Sequence, residues 1–228
     1  MFYWDPTYIL VVIGAVISMI ASMNVRSAYD KFSRVYAGRG LTAERVAEMI
    51  LHSAGIYDVR IERIRGSLTD HYSPKEKVLR LSDSVWGSTS VAAIGVAAHE
   101  CGHAIQHREG YAPLKLRTAS VPLANIGSML SWPIILIGIL LGALELARLG
   151  VILFTVVVLF QLITLPVEFN ASKRAIYVLD NVAMLTREEL DGASRVLKAA
   201  ALTYVAALFA SILQLLRLII LTRGNKRR

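Results

Sequence analysis

Long uncharged runs dominate this sequence and leave few folds open to it. Residues 7 to 23, TYILVVIGAVISMIASM, carry no charge, and neither do residues 121 to 144 or 151 to 167, the last reading VILFTVVVLFQLITLPV. A fourth run, AALTYVAALFASILQLLRLIIL at 200 to 221, is broken only by Arg217 and leads into the basic tail RGNKRR. Runs of about 20 apolar residues cross a bilayer as helices, because a helix satisfies its own backbone groups in lipid. Composition agrees, since 55% of the chain is hydrophobic and its mean hydropathy is +0.51, high for a soluble domain. An integral membrane protein with about four hydrophobic helices is therefore expected.

The spans divide the chain. Residues 1–23 read as a membrane anchor, with Phe2, Tyr3 and Trp4 as an interfacial belt and Asp5-Pro6 as a helix start. No basic segment precedes the apolar run, so the anchor reads as retained and not as a cleaved signal. Residues 24–118 have the mixed charge of a globular part, 119–167 form a transmembrane hairpin with Pro133 as a kink, 168–198 are amphipathic, and 199–228 are a hydrophobic helix with a basic tail.

Lys and Arg number 25 against 17 Asp and Glu, for a net charge of +8. They flank spans and do not form an aromatic-interleaved patch, so lipid is the expected partner and nucleic acid is not. Arg26, Lys31, Arg34, Arg108, Lys115, Arg117, Lys173, Arg174 and Lys198 share one side, against Arg148 in the opposite hairpin turn, which makes the globular side cytoplasmic by the positive-inside rule. The tail opposes this: four full spans put Arg223, Lys226, Arg227 and Arg228 outside, unless the segment with Arg217 lies partly in the interface. A single cysteine, Cys101, excludes an internal disulfide.

Within the globular part, Thr42 before AERVAEMILHSA and Gly55 after it mark a capped amphipathic helix. Alternation around Val59, Ile61 and KVLRLS predicts two or three short strands, and the strand at 77 to 82, if it lies at an edge, offers backbone groups to an extended peptide. A helix from about Ser90 to His107 follows, and Thr186 with Glu189 forms a capping box for a later one.

The helix at 90 to 107 contains H-E-x-x-H. Residues four apart share a helix face, so His99 and His103 present their imidazoles to one metal ion. Glu100, one position over, stands beside the metal, where it can take a proton from water and pass it to a leaving amine. An isolated histidine reads as packing; two at this spacing around a glutamate, with small neighbours, read as a metal site. A catalytic zinc wants a third protein ligand and an open position. His107 lies about 12 Å along the axis from His99 at 1.5 Å per residue, too far to share an ion, and Glu109 stands where the metzincin pattern needs histidine. Glu168 fits better, because two bilayer crossings return the chain to the side it left just before that residue. Asp180 in VLDN is its rival; it resembles the aspartate ligand of intramembrane zinc proteases but lacks the glycine that follows there. Cys101 points away from both histidines and packs.

DHYSP at 70 to 74, LRLSDSVW at 79 to 86, SVAAIGVAAHECGHAIQH at 90 to 107 and LPVEFNASKRA at 165 to 175, together with the N-terminal span, resemble the bacterial membrane-bound neutral zinc metallopeptidases of the YugP type across nearly the whole chain. The resemblance implies zinc on His99, His103 and Glu168, with Glu100 as catalytic base, and peptide-bond hydrolysis. In that pattern an aspartate stands two places after the metal-binding glutamate, and here the residue is Asn170; if that position orients a ligand histidine, an amide accepts the hydrogen bond but supplies no charge.

The expected fold class is thus an α+β integral membrane protein, with a zincin-like (gluzincin-type) globular part containing a small sheet and the H-E-x-x-H helix. The expected activity is a membrane-bound zinc endopeptidase of the bacterial cell membrane, acting on peptides or proteins, membrane proteins among them. Tyr72, His71 and Arg174 are candidate oxyanion donors. Two alternatives stand beside it: a non-catalytic zinc-binding scaffold, which needs a fourth ligand such as His71 or Asp180, and an intramembrane site-2-type protease with Asp180 as ligand. The second suffers from the short VAAIGVAA run before the motif, well under the roughly 20 residues a span requires.

Overall fold

The structure, a computed structural model, describes residues 5–182 and 185–223. The aromatic cluster Phe2, Tyr3 and Trp4 and the tail residues Lys226, Arg227 and Arg228 lie outside the described residues. The element order is α1 (Tyr8–Phe32), α2 (Ala43–Ser53), β1 (Arg60–Ile64), β2 (His71–Ser73), β3 (Val78–Ser82), α3 (Val91–Arg108), α4 (Ala112–Leu140), α5 (Leu144–Asn181) and α6 (Arg187–Arg223). The protein is mostly helical with one small mixed sheet, and α1, α4, α5 and α6 are each long and apolar enough to cross a membrane.

The chain folds as two compact units. The first comprises Met23–Lys115 with Pro166–Leu202; the second comprises the described residues up to Ser22, Leu116–Leu165, and those from Thr203 onward.

In the first unit, the three strands are ordered β1-β3-β2, with β1 parallel and β2 antiparallel to β3. The reading of the strand at 77 to 82 as an edge that receives a peptide is corrected here: β3 is central, and its residues Val78, Leu79, Leu81 and Ser82 are buried. The parallel β1–β3 pairing needs a crossover, and β2 enters on the other side of β3, so β1 and β2 are the edges. Leu79 and Leu81 pack in one core with Ile50 and Leu51 of α2, Ile94 of α3 and Leu179 of α5. Burying each such side chain contributes about 1.5–3 kcal/mol.

Helix α3 is buried from Val91 to Gln106 on nearly every side. Ala and Gly fill seven of those sixteen positions, so neighbours approach its backbone closely. Its start is set by Ser90, whose hydroxyl accepts from the Ala93 N–H at 3.3 Å, satisfying an otherwise unpaired helix donor. Thr42 occupies the equivalent place before α2, but its hydroxyl makes no capping bond. The predicted capping box before α6 forms: the Thr186 N–H donates to Glu189 Oε2 at 2.8 Å and the Glu189 N–H donates to Thr186 Oγ1 at 3.3 Å. The second carboxylate oxygen of Glu189 accepts from the Gly38 N–H at 2.7 Å.

No break separates the apolar part of α5 from the amphipathic stretch after it; one 38-residue helix carries both. That helix meets α3 at Gly102, where an added Cβ would lie 2.5 Å from the carbonyl oxygen of Ala171 and 3.0 Å from its carbon. Only a residue without a side chain permits this approach.

In the second unit, α4 runs unbroken through Pro122 and Pro133. It packs on α5 through small residues: a Cβ on Gly138 would stand 2.4 Å from the Ala147 nitrogen, the kind of contact that joins helices in lipid. Helices α1 and α6 run antiparallel, with Gly14 against Ala210 and, further along, Asp5 against Arg217 at 3.0 Å. The Arg217 guanidinium also stacks over the Tyr8 ring at 4.6 Å. The charge that interrupts the fourth apolar run is therefore neutralised by the start of the first, as a charge near the end of a span requires.

Gly102→Ala should cost about 1–3 kcal/mol through backbone overpacking, seen as a lower thermal unfolding midpoint. It should also lower zinc occupancy, because α5 must withdraw from α3. Wild-type values in both measurements would mean the helices do not meet as described.

Candidate metal centre

Two helices build the centre. On α3, His99 and His103 stand one turn apart, with ring centroids 4.8 Å from each other and edges turned face-on at 82°. On α5, Glu168 brings one carboxylate oxygen, Oε2, to 3.2 Å from His99 Nε2 and 3.7 Å from His103 Nε2. The three ligand atoms lie within 4.8 Å of one another, and Glu168 and His103 are buried. Tetrahedral zinc with bonds of about 2.1 Å separates its ligands by roughly 3.4 Å, close to the two imidazole–carboxylate distances.

Both imidazoles are held by their far nitrogens. Ser172 Oγ lies 3.1 Å from His99 Nδ1, and Gln106 Oε1 lies 3.1 Å from His103 Nδ1. With Nδ1 engaged, Nε2 is the nitrogen that faces the metal position in each ring. Gln106 is completely buried and spends its amide hydrogens on α5, donating to the Val167 carbonyl at 2.8 Å and to Asn170 Oδ1 at 2.9 Å. Neither Gln106 nor Ser172 was singled out by the sequence. The available signal is positional: Gln106 follows His103 by three residues and Ser172 follows Glu168 by four, so each shares a helix face with a ligand.

Asn170 connects to His103 through Gln106. Its Oδ1 also accepts from Arg174 Nε at 2.7 Å, and Arg174 pairs in turn with Glu109 at 2.6 Å and stacks on Tyr111. An amide oxygen suffices as acceptor for both donors here. Glu109, which stands where a metzincin has a histidine, thus secures α5 to the end of α3.

The other singled-out residues have separate places. His107 accepts or donates at Nδ1 with the Tyr72 hydroxyl, 2.9 Å away, one turn beyond His103. Burial, helped by the charge of Asp58, pushes the Tyr72 pKa up to about 12, so the phenol keeps its proton. His71 turns Nδ1 toward the Thr69 carbonyl at 2.9 Å. Asp180 is exposed and stands twelve residues along α5 from Glu168, about 18 Å at 1.5 Å per residue, outside the group. Cys101 is fully buried against the Ala47 carbonyl, and burial with the nearby Glu100 charge drives its thiol pKa well up, leaving it inert. Glu100 is buried as well, and its carboxylate makes no hydrogen bond or ion pair among the described residues.

The sequence profile of the family described as "Putative neutral zinc metallopeptidase" matches residues 7–223. The chain belongs to that family. It is also 46% identical over 215 residues to the "Putative membrane protease YugP" of Bacillus subtilis (strain 168), an alignment covering 94% of this chain and 96% of that protein. No solved structure matches it. The metal of this metallopeptidase family is zinc, and two imidazole nitrogens with one carboxylate oxygen are a donor set that zinc accepts. Among the described residues the group has three members, so a tetrahedral zinc held by them would have room for one further donor.

Glu168→Ala should abolish stoichiometric zinc in the purified protein by metal analysis. Gln106→Leu, which keeps volume but frees His103 and the α5 backbone, should weaken zinc binding by about 10–100-fold. Acidification gives a third check. Burial lowers the pKa of His103, but its hydrogen bond to Glu168 and the Glu100 charge outweigh this, so the metal-free imidazole titrates above its ordinary 6.5. Protons therefore compete for the ligand from above that pH, and zinc affinity should decline as pH falls through this range; constant affinity down to pH 5 would contradict it.

Proposed function

We propose that the protein is a membrane-bound zinc endopeptidase of gluzincin type, with His99, His103 and Glu168 as ligands, Glu100 as general base, and its catalytic part on the cytoplasmic side. The observation that carries this reading is a three-donor group with the buried carboxylate of Glu100 next to His99 in sequence, a carboxylate that makes no hydrogen bond or ion pair among the described residues. Structural zinc sites are closed by four protein ligands, and neither His71 nor Asp180 joins the group, which weighs against a scaffold role. An intramembrane protease is disfavoured because α3 is not among the four helices apolar enough to span and Asp180 is remote.

Zinc, when bound, supplies Lewis acidity to the scissile carbonyl and lowers the pKa of water at the open position. Glu100 removes a proton from the attacking water and returns it to the leaving nitrogen. Tyr72 donates its phenolic hydrogen to the developing oxyanion, oriented by His107. It is preferred over Arg174, which is committed to Glu109 and Asn170, and over His71, which faces Thr69. The free edge of β2, on which Tyr72 lies, pairs with an extended peptide substrate. The excess of Lys and Arg flanking the spans on the globular side supports the cytoplasmic placement.

Glu100→Gln should retain stoichiometric zinc yet lose about 10²–10⁴ in kcat/KM on a fluorogenic peptide. Zinc-loaded E100Q with full activity would refute the base assignment.

A further inference from the structure

A cavity of about 500 Å³ opens beside the metal-binding stretch of α5, walled by Phe169, Ile176, Leu197, Ala201 and Leu202. Phe169, Lys173 and Ile176 recur every three or four residues and so share one face of α5; Ser194, Leu197, Lys198 and Ala201 do the same on α6. Lys173 and Lys198 are exposed at this cavity, and neither pairs with a carboxylate among the described residues. Phe169 and Leu202 are also exposed, at 47% and 49%, a poor arrangement for large apolar side chains in water.

The sequence sets the level of this cavity relative to lipid. On α5 it begins two residues after the apolar run that ends at Val167, and on α6 it closes where the last apolar run begins, at 200 to 202. A bilayer presents its headgroups over its acyl chains at the ends of such runs, and basic pockets between spanning helices there hold anionic headgroups.

Apolar walls with two unneutralised ammonium groups match an occupant that has a hydrocarbon body and a negative head. We propose that this cavity binds one anionic phospholipid of the surrounding bilayer, its acyl chain against Phe169, Ile176, Leu197 and Leu202 and its phosphate between Lys173 and Lys198. The side chain of a neutral apolar residue in a peptide makes no use of the two cations. Ser172, whose hydroxyl holds His99, also lines the cavity, and Phe169 follows Glu168 directly, so the lipid bears on the metal centre. Binding here does not depend on whether the chain cleaves peptides.

Native mass spectrometry of the detergent-solubilised full chain, offered phosphatidylglycerol and phosphatidylcholine at equal concentration, tests this. One phosphatidylglycerol should be retained per chain in preference to phosphatidylcholine. Lys173→Gln with Lys198→Gln should weaken it roughly 30-fold, and Ala201→Trp, which fills the apolar end and keeps both lysines, should remove it, with zinc content unchanged in each. If Ala201→Trp loses zinc through misfolding, Leu202→Asp takes its place, since it sets a negative charge at an exposed rim position and should also expel the lipid. Equal retention of the two lipids would overturn the proposal. So would loss on removing the lysines but not on blocking the apolar end, which is generic surface charge. Unchanged lipid binding in the blocked variant, with altered cleavage beside large apolar residues, would make the cavity a peptide subsite instead.

Discussion

The contact of α3 with α5 at Gly102 is what the metal centre depends on. Glu168 and the two histidines are separated by more than sixty residues and two apolar runs, and they meet because one backbone lies against the other with no side chain between. At that separation a carboxylate one turn before Ala171 comes within 3.2 Å of His99. A methyl group at position 102 would hold the helices apart by the distance that distinguishes a ligand from a neighbour.

Close approach alone would leave three polar side chains in an apolar interior, which is costly without partners. The molecule answers with hydrogen bonds that themselves cross the helix interface. Gln106 ties His103 to the α5 backbone and to Asn170, Ser172 ties His99 back to α5, and Arg174 ties Asn170 to Glu109 beyond the end of α3. These bonds select the Nε2 face of each imidazole and hold the helices in register, so positioning the ligands and joining the helices are one task. Glu100 is the exception, buried and without a hydrogen bond or ion pair among the described residues.

Lipid imposes the remaining order. Among the described residues, apolar length identified the four helices that can cross a bilayer, and Arg217 is the one charge inside the fourth apolar run. Asp5 and Tyr8, over two hundred residues away, take up the charge of Arg217 where α6 runs antiparallel to α1. No local pattern announces such a pair, because its two halves belong to opposite ends of the chain.

Periodicity and spacing alone marked the apolar helices, the helix carrying H-E-x-x-H and the sharing of one face by His99 and His103, and they pointed to Glu168 as the group's third member, since each follows from the geometry of a single helix or from counting apolar runs. Only tertiary structure decided that β3 is the central strand, that α5 continues unbroken past Val167, and that Gln106 and Ser172 steady the ligands. Strand order depends on a crossover, and a change from apolar to amphipathic composition marks a change of solvent and not the end of a helix. The work of a buried glutamine or serine is defined by what a second helix brings opposite it, which no run of neighbouring residues encodes.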